Sequence, residues 1–192
     1  MSHEPEKKFS LGAYLRADLV KFHRMSRGVD ARSSSGLLFW LSMISPRFIP
    51  ILLCRLAHWF YLLRLSPLAK LASLVNFFLF GIEIAIRCPI GPGIFFPHTQ
   101  GTVIGALSIG DNVTIFQGTT LGAKEIDFSY SQDGRPVVGN NVTIGSGAKI
   151  LGGIFLGDCS RVGANAVVLY DVPEGVLVVG VPAKAVDVDG VS

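Results

Sequence analysis

From Ile109 onward an aliphatic side chain returns every six positions: Ile109, Ile115 and Leu121, then Val138, Ile144, Ile150, Leu156, Val162 and Val168. Glycine follows most of them, as in IGDNVT, VGNNVT, IGSGAK, LGDCSR and VGANAV. A small or β-branched residue stands four places on: Val113, Thr119, Val142, Ala148, Ile154, Ser160, Ala166 and Val172. Neither strand alternation nor a helical period holds a six-residue step over five consecutive units. A parallel β-helix of hexapeptides does, because each unit is one short strand and a corner. The aliphatic fills a narrow prism core, the small residue fits near the turn, and three units close a coil of about eighteen residues.

The period breaks twice. Between Leu121 and Val138 lie 17 positions where six are expected, so AKEIDFSYSQDGRPV contains a looped-out insertion. A polar loop leaving a rigid solenoid is a common seat of function, and equally a tolerated surface insertion; both readings stay open. The second break is IFFPHTQG, residues 94–101. Phe96 is in phase with Ile84 and Ile90, yet Ile109 restarts one residue late. An irregular corner aims a side chain outward into a cleft, which a regular coil does not.

Upstream the spacing is helical. LGAYLRADLVKFHRMSR carries Leu11, Leu15, Leu19 and Phe22 on one face. The following stretch to residue 80 is dense in Leu, Phe and Trp and is punctuated by Pro46, Pro50 and Pro67. A membrane span needs about twenty nearly uncharged apolar residues, and Arg47, Arg55, Arg64 and Lys70 cut this one short. Two readings stay open: a helical cap alone, or a cap that also touches a membrane surface with Arg and Lys toward anionic headgroups. The predicted organisation is a tail (1–10), a helical cap and assembly region (11–80), a β-helix domain (81–186) with a protruding loop (122–137), and a C-terminal tail (187–192). The N-terminal MSHEPEKKFS has acidic residues and no apolar run, so it reads as a tail rather than a secretory signal.

Composition fits this division. The chain is 49% hydrophobic and only 16% charged, with 22 glycines, so it buries surface against other subunits or a membrane. Residues 1–87 hold twelve Lys/Arg against five Asp/Glu, and residues 88–192 hold five against nine. A basic, apolar half thus precedes an acidic one, which points to an anionic partner surface. The basic residues are interleaved with Leu, Phe and Trp and form no known motif, which argues against nucleic acid. Three scattered cysteines, Cys54, Cys88 and Cys159, show no metal or disulfide spacing, as in a reducing cytoplasm.

Of four histidines, His3 lies in the tail, and His23 and His58 read as structural members of helices, His58 packed on aromatics. His98 is the only histidine in the repeats, which excludes a three-histidine metal site. Its ordinary pKa suits general-base work near neutrality. Fifteen residues earlier stands Glu83, in the apolar context GIEIA and roughly one coil away. A carboxylate there would orient the base and stabilise its cation.

At this point a resemblance is specific. The runs GIEI, IGPGIFFPHTQGTVIG, IGDNVTIFQGTTLG, VTIGSGAKILG, VGANAVV and DVPEGVLVVGVPAK resemble the serine acetyltransferase branch of the hexapeptide-repeat acyltransferases, and YLRADL and RLAHWFY resemble its helical region. The resemblance implies a left-handed β-helix, a homotrimer with a dimer of trimers as a further option, and acetyl-CoA in clefts between prisms. It places the catalytic base on His98 and the orienting acid on Glu83, where Asp is more usual. It gives the oxyanion donor as the backbone N–H of Ala123. Ser146 and Ala164 would line the pantetheine cleft, and Arg161 and Lys184 would meet the nucleotide phosphates, their alternative being solvated corners. No cysteine takes a nucleophile position and no metal is implied, so transfer is direct.

Departures from the family pattern concern the acceptor. The Asp that precedes the histidine is Pro97 here, and an Arg-His pair on the loop is replaced by Gly134-Arg135 before Pro136. Arg135 remains a candidate for a carboxylate, and Phe128 and Tyr130 are candidates to stack on a sugar ring. The leading expectation is therefore an acetyl-CoA-dependent O-acetyltransferase acting on a sugar of surface polysaccharide, its acceptor often lipid-linked. Such an enzyme would be cytoplasmic, with peripheral contact at the inner membrane face as a further expectation. The alternatives are serine O-acetylation for cysteine synthesis and a non-catalytic trimeric scaffold.

Overall fold

The structure, a computed structural model, describes residues 9–27, 36–127, 130–131 and 133–186. Among the described residues four α-helices come first: α1 (Leu11–Arg27), α2 (Leu37–Leu41), α3 (Ile49–Leu62) and α4 (Ser66–Phe80). The spacing expected for α1 holds, with Leu15, Leu19 and Phe22 buried. Pro50 and Pro67 sit in the first turns of α3 and α4, where a missing N–H costs nothing. The buried stripe of α4 is Ala69, Ala72 and Asn76. These small side chains let α4 lie close on α3, and Asn76 Nδ2 donates to the Pro50 carbonyl at 3.0 Å. Gly81 ends α4 in the left-handed region (φ 62°), its N–H returning to the Phe77 carbonyl.

Thirteen short strands then form three sides of a prism. Face A stacks β1 (Ile82–Ile84), β2 (Thr102–Ile104), β5 (Thr120–Gly122), β8 (Lys149–Leu151) and β11 (Val167–Val168), all parallel. Face B stacks β3 (Ser108–Ile109), β6 (Val137–Val138) and β9 (Phe155–Leu156). Face C stacks β4 (Thr114–Ile115), β7 (Thr143–Ile144), β10 (Arg161–Val162) and β12 (Leu177–Val179), closed by the antiparallel β13 (Lys184–Val186). Every aliphatic of the six-residue series is buried, and so is every small residue four places on. The expected parallel β-helix is therefore the observed one, and Val137 resumes the ladder where the insertion ends.

One buried ion pair fastens the cap to the first coil. Arg55 of α3 donates to both carboxylate oxygens of Asp18 on α1, at 2.8 and 2.9 Å, and to the Ile90 and Gly91 carbonyls at 2.5 and 2.7 Å. Asp18 in turn accepts the N–H groups of Gly93 and Ile94 at 2.8 and 3.0 Å. Burial alone would lower the guanidinium pKa, but the Asp18 carboxylate more than offsets it and holds Arg55 above its ordinary value. Among the described residues no helix is long and apolar enough to cross a membrane.

Candidate active site

The corners joining face C to face A stack into one edge of the prism. They comprise residues 97–101, 116–119, 145–148 and 163–166. Main-chain bonds hold each corner on the next: Gly118 N–H to Gln100 O (3.0 Å), Gly147 N–H to Gln117 O (2.8 Å) and Asn165 N–H to Ser146 O (2.8 Å). His98, Gln117, Ser146 and Ala164 therefore lie along a single edge, on successive coils. Lys184 follows at its far end, because Ala183 N–H bonds Val167 O and Val167 N–H bonds Gly180 O. Arg161 is exposed on face C, three residues before Ala164. The structure thus places His98, Ser146, Ala164 and Lys184, four of the candidates, along one edge, with Arg161 on the adjacent face C. Gln117 was not among the candidates; its buried Oε1 has no partner among the described residues. Its six-residue phase, shared with Ser146 and Ala164, was the available signal.

The irregular corner has a definite geometry. Phe96 and Ile104, both core residues, are eight positions apart, and Ile104 and Ile109 only five. Two extra residues therefore bulge at 97–103, and the next corner is one residue short, which accounts for the single-residue slip. The bulge is pinned to the end of α4 by Thr99 Oγ1–H to Phe80 O (2.7 Å) and Gly101 N–H to Gly81 O (2.9 Å). His98 at its tip is exposed. Glu83 points outward from β1 opposite Val103, on a groove of about 400 Å³ shared with Lys70, Ser73, Leu74 and Phe77 of α4. Two bonds tie the His98 corner to the residues just before Glu83, and no hydrogen bond joins the two side chains within one chain.

The loop leaves from the other edge of face A. Ala123 follows β5, and among the described residues no backbone carbonyl accepts its N–H. A three-residue strand and its flanking positions separate the two edges, on the order of 10 Å, so Ala123 and His98 do not meet within one prism. Arg135 lies 4.0 Å over the ring of Tyr130. Its guanidinium donates to Asp127 Oδ2 (3.1 Å), Asp127 O (2.9 Å) and Gly105 O (2.9 Å). Tyr130 O–H donates to Ala106 O at 2.6 Å, and burial pushes its phenol up to about 12. The loop also crosses Gly153, where a Cβ would collide with the Asp133 carbonyl. Every nitrogen of Arg135 is thus engaged within the loop and its dock, and one face of Tyr130 is covered. Phe128 lies outside the described residues.

His58 and His23 are packed within the helical region, as expected, and His3 lies outside the described residues. His58 packs on Phe9 and Tyr61 and donates Nδ1–H to Ile86 O at 3.0 Å; burial lowers its pKa. His23 stacks on Phe39 and bonds Ser42 Oγ at 2.7 Å. Among the described residues no group of His, Cys, Asp and Glu has the placement of a metal site.

Residues 135–169 match the bacterial transferase hexapeptide (six repeats) family. Over 152 residues the chain is 45% identical to the serine acetyltransferase of Helicobacter pylori (strain J99), covering 78% of this chain and 87% of that one. It is 42% identical over 149 residues to that of Synechococcus elongatus, covering 76% of this chain but 59% of the relative's length. Neisseria gonorrhoeae serine acetyltransferase superposes with a TM-score of 0.79 at 31% identity, over 92% of this chain and 65% of that one. A serine acetyltransferase solved in complex with CoA gives 0.76 at 32%, over 92% and 70%. The chain belongs to the serine acetyltransferase family, and its β-helix is the left-handed one of that family.

Proposed function

We propose that this protein is an acetyl-CoA-dependent O-acetyltransferase that works as a homotrimer. The observation that carries the reading is the shared edge: an exposed histidine at its head, then Gln117, Ser146 and Ala164 with no bulky side chain among them. Acetyl-CoA would lie along this edge. His98 takes the proton from an acceptor hydroxyl as that oxygen attacks the thioester carbonyl. The tetrahedral oxyanion is stabilised by a backbone N–H, the C–S bond breaks, and the proton on His98 passes to the leaving CoA thiolate. The products are an O-acetyl ester and free CoA. His98 and Ala123 stand on different edges of one prism, so the Ala123 donor that meets His98 comes from a neighbouring copy. That requirement supports the trimer. Glu83, by its place beside the His98 corner, acts as the orienting acid once the acceptor and a neighbouring copy close the cleft.

For the acceptor, the relatives favour L-serine over the sugar expected from the loop and Pro97. One observation supports a second reading, a neutral hydroxyl acceptor such as a sugar. Pro97 offers no charge to an α-amino group, and the Arg135 guanidinium is already committed to Asp127, Gly105 and the Tyr130 ring. Thiol release from acetyl-CoA with L-serine or with hexose acceptors separates the two. Saturable turnover at millimolar serine establishes the first, and turnover on hexose alone establishes the second. A scaffold without activity predicts that CoA leaves the melting temperature unchanged, whereas a CoA site raises it.

A further inference from the structure

We propose that Thr99 is a positioning residue for acetyl transfer: its hydroxyl, bonded to the last carbonyl of α4, fixes the corner that carries His98 relative to the strand that carries Glu83. The role rests on the reading of His98 as the base, which itself gives Thr99 no part. Among the described residues the His98 main chain makes no hydrogen bond of its own, and the side chain stands exposed at the tip of the bulge. Its direction is therefore set by its two neighbours. On one side Pro97, with φ fixed by its ring, follows Phe96, a core residue at 1% exposure. On the other side Thr99 begins a tight turn, closed by Thr102 N–H to Thr99 O at 3.1 Å. Gly101 (φ 71°) takes the position in it that needs the left-handed region.

Three bonds seat this turn on the rest of the chain. Gly101 N–H reaches Gly81 O (2.9 Å), Gly118 N–H reaches Gln100 O (3.0 Å) and Thr99 Oγ1–H reaches Phe80 O (2.7 Å). The first two continue the regular ladders, the Gly81–Gly101 contact lying one step before the Ile82–Thr102 pair. The third is the one made by a side chain, and it lies nearest His98. Phe80 ends α4, and carbonyls in the last turn of a helix have no partner inside it. The Thr99 hydroxyl supplies that partner. The joint is short on both sides: Glu83 is three residues beyond Phe80, and His98 is one residue before Thr99. A swing of the tip about the turn therefore changes the separation of base and acid directly. An offset of about 1 Å costs up to about 10²-fold in rate. Valine matches threonine in shape but has no donor, so it would leave Phe80 O unpaired and release the tip at its nearest anchor.

The test is steady-state thiol release from acetyl-CoA, with L-serine and separately with a hexose, by the whole chain carrying Thr99→Val or Thr99→Ser. Turnover of Thr99→Val is expected to fall about 10–100-fold. Its KM for acetyl-CoA, its rise in melting temperature with CoA, its oligomeric mass and its far-UV circular dichroism stay those of the wild type. Thr99→Ser keeps the hydroxyl and recovers most of the turnover, and Thr99→Ala repeats the loss in a smaller side chain. A second measurement needs no turnover. In protein with isotope-labelled histidine, the ring resonance missing from His98→Ala shifts or broadens in Thr99→Val and returns in Thr99→Ser, while those of His23 and His58 stay in place. The proposal is overturned if Thr99→Val keeps wild-type turnover, or if its His98 resonance does not move. It is equally overturned if Thr99→Ser is as impaired as Thr99→Val, or if the loss comes with a lower oligomeric mass. A wild type no faster than His98→Ala removes the catalytic reading and this one with it. Full activity in Thr99→Val beside an inactive His98→Ala removes this one alone.

Discussion

In an Asp18→Asn variant the Arg55 guanidinium keeps its charge and loses its counter-ion, in a site where both side chains are at most 2% exposed. Asp18 accepts four hydrogen bonds, two from Arg55 and two from the Gly93 and Ile94 N–H groups. Asparagine keeps one oxygen for part of this network but turns a donor toward a donor. Leaving a buried charge unpaired costs about 3–5 kcal/mol. Both tryptophans, Trp40 and Trp59, belong to the cap, so tryptophan fluorescence during urea unfolding at fixed chain concentration follows the element that loses its anchor. The expected result is a fall in the midpoint of cap unfolding worth that amount. Asp18→Asn with Arg55→Gln removes both charges and keeps polar groups at both places, and recovers at least about half of the loss. A change under about 1 kcal/mol for Asp18→Asn, or a double variant as damaged as the sum of the singles, would refute the clamp.

Further outcomes follow from the site. His98→Ala lowers turnover about 10²–10⁴-fold while CoA still raises the melting temperature. Gly153→Ala displaces the Asp133 carbonyl and with it the loop, so acetyl transfer falls about tenfold or more; unchanged kinetics would detach the loop from the acceptor site. With its phenol raised to about 12, Tyr130 contributes its bond to Ala106 fully below pH 10. That contribution is lost as pH rises from about 10 to about 12, and the last component of tyrosinate absorbance is absent in Tyr130→Phe. Burial pushes the Cys54 thiol up to about 11 and Cys88 higher still, whereas Cys159 is exposed. A disulfide reagent therefore labels one thiol per native chain and three after denaturation.

What was legible in the sequence was whatever repeats. Ile144, Ile150 and Leu156 announce their burial because a six-residue step has one physical solution, and Ser146 and Ala164 share an edge by the same arithmetic. The insertion was legible as a missing step, and its docking was not. The partners of Arg135 and Tyr130 are the carbonyls of Gly105 and Ala106, which carry no side-chain signature. The Asp18–Arg55 clamp was hidden for a different reason. Each residue sits in an amphipathic helix where a charge ordinarily faces water, and only the approach of the first coil reverses that. That His98 is exposed agrees with the irregular corner read from a one-residue slip, whose origin in two extra residues and one missing residue needed the register of Ile104.

The main-chain ladder along the face C to face A edge has a consequence for length. Coils repeat at the strand spacing of about 4.8 Å, so the three steps from His98 to Ala164 measure about 14 Å along a rigid rule. A donor with an extended arm is then gauged in whole coils: the reacting carbonyl at one mark, the distal group at another. Inserting one further eighteen-residue coil between His98 and Ser146 would lengthen the accepted arm by one mark and leave the chemistry at the first untouched.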